Sequence, residues 1–144
     1  MTIITKLQVR SKLTISTAKT HNLVFIDTAV EDYQSLANGV TPNTKVFFIT
    51  PTQNGIKEIT KILTNYHGQN LTSIHIVAHG VPGCLYLGNT RLGLDTLNNY
   101  QEQLQQWQQL TSKPKFENLL LYSCNLAAGD AGAEFLTKLH QLTG

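Results

Sequence analysis

From His21 onward, short apolar runs alternate with segments whose apolar residues recur at helical spacing, the pattern of a parallel sheet wrapped by helices. The first run is Leu23 to Ile26. Thr28-Ala29-Val30-Glu31 then reads as a capping box and predicts a helix from about Ala29 to Leu36, stopped at Asn38-Gly39. Lys45 to Ile49 is a second strand, and Pro51 to Gly55 turns into a helix striped by Ile56, Ile59, Ile62 and Leu63. The third strand, Ser73 to Ala78, ends at His79-Gly80, and Val81-Pro82-Gly83 forms a loop. Cys84 to Leu87 and Thr90 to Leu92 flank Gly88-Asn89, a pair suited to a tight hairpin turn. Asp95 predicts a cap for a helix from Thr96 to about Leu110, with Leu97, Tyr100, Leu104, Trp107 and Leu110 facing inward under a glutamine surface. Asn118 to Ser123 is nearly all apolar, as a strand covered on both faces must be. A last helix carries Phe135, Leu136, Leu139 and Leu142 on its apolar side and stops at Gly144.

These elements predict an α/β fold, a three-layer αβα sandwich. Its mainly parallel sheet should run in spatial order 2-1-3-4, with a small hairpin after strand three and helices on both faces. At 144 residues the chain has one domain's length and enough core to fold without disulfide or metal staples. Residues 21–144 form that domain, and residues 1–20 are a basic arm in which no element is assigned. The arm holds Lys6, Arg10, Lys12 and Lys19 with no acidic residue, on a domain that is otherwise slightly acidic. Four charges spread among Thr and Ser read as a solvated segment, so no nucleic-acid partner is expected. No apolar run approaches the ~18 residues of a membrane span, and the opening residues lack the apolar stretch of a signal peptide. Neither membrane insertion nor an N-terminal export signal is expected.

Two cysteines, Cys84 and Cys124, are too few for a disulfide framework and lack the paired spacing of a zinc site. No metal and no cofactor is expected. A nucleotide-binding reading is weakened because no strand is followed by GxGxxG or GxxxxGK[ST]. In open parallel sheets, ligands bind beyond the carboxyl ends of the strands, which here deliver Asp27, Thr50, His79 and Cys124. If strands three and four are neighbours about 4.8 Å apart, His79 and Cys124 stand side by side as base and nucleophile. An imidazole or a helix N-terminus favours the reactive thiolate, and the backbone N–H groups of Gly80 and Cys124 could receive the oxyanion of a tetrahedral intermediate. A side chain at Gly80 would crowd the substrate. The competing reading makes Cys124 a small buried hydrophobe and His79 a strand-end polar residue.

The double block Ile74-His75-Ile76-Val77-Ala78-His79-Gly80 and Leu119-Leu120-Leu121-Tyr122-Ser123-Cys124 resembles the caspase-like (clan CD) cysteine peptidases. In those enzymes one hydrophobic strand ends in His-Gly and a later one ends just before the catalytic cysteine. Residues 21–144 are similar also to an uncharacterised bacterial domain family with AHG or SHG, then PG and a hairpin, then LLYxCNxAxG. That family occurs near the start of very large surface proteins carrying cadherin-like or calcium-binding repeats. Asn54-Gly55, Leu87-Gly88, Asn125, Ala127 and Gly129 extend the match.

Carried over by position, the resemblance implies His79 as catalytic histidine, Cys124 as nucleophile and Gly80 at the oxyanion site. It places Asp27 where several relatives have a specificity residue, favouring Lys or Arg before the scissile bond; the alternative is a carboxylate complementing a helix start. The implied activity is that of a cysteine endopeptidase on a polypeptide or on its own parent chain, with export or a cell-surface location. The alternative is a non-catalytic interaction or anchoring module. Caspase-like folds continue past the helix after the cysteine, so residues beyond Gly144 are expected to complete the cleft and the excerpt alone to turn over peptides weakly. His75 shares a strand face with His79, but no third ligand is placed to make a metal site, and a hydrogen-bonded core histidine is the default. Cys84 is expected in hairpin packing, with a disulfide to Cys124 as the alternative. Trp107 is expected in the core.

Overall fold

The computed structural model describes residues 2–4, 22–67, 69, 71–111 and 118–144. The basic arm's Lys6, Arg10, Lys12 and Lys19, and the inward position expected for Leu110, lie outside what is described. In chain order the elements are β1 (Thr2–Ile4), β2 (Asn22–Asp27), α1 (Tyr33–Asn38), β3 (Thr44–Ile49), α2 (Gly55–Asn65), β4 (Ser73–Val77), β5 (Gly80–Val81), β6 (Cys84–Leu87) and β7 (Thr90–Gly93). A 3₁₀ turn (Leu97–Tyr100), α3 (Gln101–Thr111), β8 (Asn118–Tyr122) and α4 (Gly129–Thr143) follow.

β1, β8, β4, β2 and β3 form a five-stranded sheet in that order, every pair parallel. The expected order holds for β2, β3, β4 and β8, and the first twenty residues contribute one further edge strand beside β8. The chain moves one way from β2 to β3, then the opposite way to β4 and on to β8. Right-handed crossovers therefore set α1 on one face and α2 and α3 on the other. The packing agrees. Leu23, Phe25, Ile74, Ile76, Leu119 and Leu121 share a core with Ile56, Ile59 and Leu63 of α2, Leu104 and Trp107 of α3, and Phe135 and Leu139 of α4. On the opposite face Val24, Ile26, Val77 and Tyr122 pack against Tyr33, Leu36 and Ala37 of α1. Trp107 is 2% exposed, and its Nε1–H donates to Thr60 Oγ1 at 2.8 Å, joining α3 to α2 inside the core.

Two local expectations change. α1 starts at Tyr33 and Thr28 caps nothing, because Asp27 accepts the Ala29 N–H on its side chain and the Val30 N–H on its backbone carbonyl, closing a tight turn before the helix. Asp95 pairs with Arg91 instead of capping a helix, and Thr96 Oγ1 instead bonds the backbone of β7, so the chain enters α3 through the 3₁₀ turn. The hairpin appears as expected over β6 and β7, with Gly80–Val81 added as a third strand, β5.

On the α1 face a directed chain of hydrogen bonds crosses three strands. Ser73 Oγ donates to Asn22 Oδ1 at 2.6 Å, so it can only accept from His75 Nε2 at 2.8 Å. His75 Nδ1 then accepts from the Tyr122 hydroxyl, also at 2.8 Å, with the two rings stacked at 5.6 Å. That direction at Tyr122 belongs to the neutral imidazole, since a cationic ring would donate from Nδ1 instead. Burial pushes the His75 pKa below its ordinary 6.5 and holds the Tyr122 phenol above its ordinary 10.0. Between the lowered folded pKa and 6.5 the unfolded chain binds the extra proton, so this contribution to stability is complete above pH 6.5 and lost as pH falls through the folded value. Urea unfolding at about pH 7.5 and about pH 5 should show a larger loss of stability for the native chain than for His75→Gln, which does not titrate.

Candidate active site

Because the strands are parallel, β2, β3, β4 and β8 all end on one edge. Strand order reverses between β2 and β4, which makes the loops after those strands the walls of the crevice. β4 and β8 are direct neighbours, paired to Val77 opposite Tyr122, and the Ala78 N–H donates to Tyr122 O at 3.2 Å one step further. Continuing that register by two residues sets His79 level with Cys124. The alternation that puts Val77 and Tyr122 on the α1 face assigns both residues to that side. Both are exposed.

The His79 ring is anchored. Its Nε2 lies 3.0 Å from the carbonyl oxygen of Ala29 in the loop after β2. A carbonyl can only accept, so Nε2 carries the proton and, in the neutral ring, Nδ1 holds the free lone pair. Cys124 stands on the turn between β8 and α4. Asn125 follows it in the left-handed conformation (φ 59°), and Asn125 O accepts from the Ala128 N–H at 3.0 Å. Asparagine is among the few residues that enter this region at low cost. Cys124 does not itself open the helix whose N-terminus is expected beside it, since α4 begins at Gly129, beyond this turn.

Gly80 is required by the protein's own packing. A Cβ there would strike Ser123 Oγ and approach Cys84 O to 2.9 Å, so the protein, before any substrate, excludes a side chain. Ser123 is buried, and its hydroxyl has no hydrogen-bond partner among the described residues. Sequence reading passed over it because a serine between two apolar strand residues and a cysteine carries no distinguishing pattern.

The small sheet lies across this edge as a strap. Gly83 N–H donates to Leu126 O at 2.9 Å behind Cys124, Tyr86 N–H to His79 O at 2.9 Å, and Asn89 N–H to Gln53 O at 2.8 Å over β3. Asp27, expected to meet a substrate cation, is 4% exposed, and its two oxygens accept from Ala29 N–H at 2.8 Å and Gly88 N–H at 2.6 Å. Cys84 is buried in β6 and Cys124 exposed, each a free thiol, so hairpin packing describes Cys84 and no disulfide joins them. No group of three or more metal-ligating side chains occurs among the described residues, and none of their helices is long and apolar enough to cross a membrane.

The fold is thus that of an αβα sandwich whose parallel sheet presents a histidine and a cysteine on adjacent strand ends. The chain belongs to the family described as "Domain of unknown function (DUF4347)", whose sequence model matches residues 23–144. No curated protein and no solved structure matches it.

An unpaired buried hydroxyl costs about 1–3 kcal/mol, so Ser123→Ala should raise the free energy of unfolding by ~1 kcal/mol, read as a higher urea midpoint at unchanged m. Gly80→Ala should lower that free energy by about 1–3 kcal/mol. Combined, the two should recover part of that loss, because one of the two colliding atoms is gone.

Proposed function

We propose that this domain is a caspase-like cysteine endopeptidase module that works by acyl transfer through Cys124 with His79 as its base. The observation that carries the reading is the His79 hydrogen bond to Ala29 O, which takes Nε2 as the donor and so leaves Nδ1 as the acceptor of the neutral ring, on an exposed imidazole that follows the strand paired with β8. Nδ1 takes the thiol proton as Sγ bonds the substrate carbonyl carbon. The peptide C–N bond then breaks, and the proton passes from His79 to the leaving amine. Water hydrolyses the thioester and restores the thiol. The N–H groups of Gly80 and Cys124 are the donors available to the oxyanion. The substrate is a polypeptide, and the resemblance to domains of large repeat-bearing surface proteins favours the parent chain itself, at the cell surface. Asp27 is occupied by backbone N–H groups, so its charge supplies no preference for Lys or Arg in this reading.

The second reading is a non-catalytic interaction or anchoring module. It is favoured by two apolar side chains, Val81 at 46% and Tyr86 at 42% exposure, presented by the strap next to His79.

Iodoacetamide at neutral pH, followed by peptide mass analysis, separates the two. An activated Cys124 should alkylate roughly tenfold or more faster than an unactivated thiol, and His79→Ala should remove most of that advantage. The buried Cys84 serves as internal control. A Cys124 rate equal to that of a simple thiol, or one indifferent to His79→Ala, would leave the interaction reading in possession.

A further inference from the structure

We infer that Asp27 is a positioning residue that couples the seating of the strap to the orientation of His79; the inference rests on the reading of His79 as the base. Its carboxylate is buried, and a buried carboxylate must have its oxygens satisfied. Here both partners are backbone N–H groups. One belongs to Gly88 at the β6–β7 turn, 61 residues away in sequence, and the other to Ala29, which also provides the carbonyl that holds His79.

The geometry makes this a mechanical link. The Val30 N–H donates to Asp27 O at 3.1 Å, and in a trans peptide the C=O points opposite to the N–H of the same plane. With the Val30 N–H turned back onto Asp27, the Ala29 carbonyl is turned outward, where His79 Nε2–H meets it at 3.0 Å. Asp27 thus fixes Ala29 from both sides, by Oδ1 on its N–H and by the backbone carbonyl on the peptide that follows. Oδ2 stays in place only while Gly88 is docked. Gly88 has φ 62° and lies so close to Gln53 O that any side chain would lift the turn. When the turn lifts, Oδ2 loses its partner, the Ala29 loop loosens, and the histidine is no longer restricted to the Nε2–H tautomer. Whatever raises or seats the strap therefore sets how much of the domain holds a competent base.

The test uses residues 1–144 in four forms: unchanged, Asp27→Asn, Gly88→Ala and, for the alkylation rate, His79→Ala. The asparagine amide has one acceptor for two N–H groups, so one contact must fail without a change of size. At about pH 8, where imidazole is neutral, the side-chain ¹⁵N shifts of His79 report its tautomer. The unchanged protein should show Nε2–H alone. Asp27→Asn should show a mixture with Nδ1–H, together with at least tenfold faster amide exchange at Gly88 and several-fold slower alkylation of Cys124. Gly88→Ala, which alters neither Asp27 nor His79, should shift the tautomer in the same direction. A single Nε2–H tautomer retained in either folded variant while the turn amides exchange faster would overturn the coupling. If the tautomer shifts as expected but Cys124 reacts like a simple thiol in every form, the coupling stands and the peptidase reading fails. If Cys124 is fast and dependent on His79 but unaffected in either variant, the peptidase reading stands and the coupling fails.

Discussion

All-parallel pairing is the constraint from which the rest follows. It sends the ends of β2, β3, β4 and β8 to one edge, so every loop leaving that edge must satisfy its backbone polar groups in the same small region. The loops do so largely with one another. Ala29, Gln53, His79 and Leu126 each lend a carbonyl to a neighbour, and Asp27 supplies the two acceptors that the Ala29 and Gly88 N–H groups lack. The strap is the element that closes this network, since its three strands reach from the Gln53 turn over β3 to the Leu126 turn beyond β8.

Close approach is what the network demands in return. Gly80, Gly83 and Gly88 stand where a Cβ would meet Ser123 and Cys84, Ala131, and Gln53 respectively, so the strap can seat only on bare backbone. The same crowding leaves the Ser123 hydroxyl buried and unpaired among the described residues. It also leaves His79 and Cys124 exposed at the rim of that edge. The polar chain from Tyr122 through His75 to Asn22 rigidifies the three strands beneath that rim from the α1 face.

The sheet was readable because its signals are local. Nearly continuous apolar strands alternate with helical stripes, and the handedness of crossovers leaves few topologies, so the order of β2, β3, β4 and β8, the β6–β7 hairpin and the inward faces of α2 and α4 all follow from the pattern. β1 was not readable, since three residues in a basic arm become a strand only because β8 offers an unpaired edge. The late start of α1 escaped for a related reason. Thr28 and Glu31 have the composition of a capping box, but Asp27 claims the local N–H groups first, and that competition is decided by burial of the carboxylate.

His79, Gly80 and Cys124 could be singled out from sequence because their position at strand ends is fixed by the strands that precede them. The role of Asp27 could not. The chain itself determines that a carboxylate stands at the end of β2, but its partner at Gly88 lies 61 residues away. Only the folded strap brings that N–H against the buried carboxylate, where either group left unpaired would be costly. Periodicity therefore fixes which residues reach the edge of the sheet, because it acts between residues a few positions apart. The use made of each residue there depends on which backbone groups long-range packing leaves in need of a partner, and this only the tertiary structure decides.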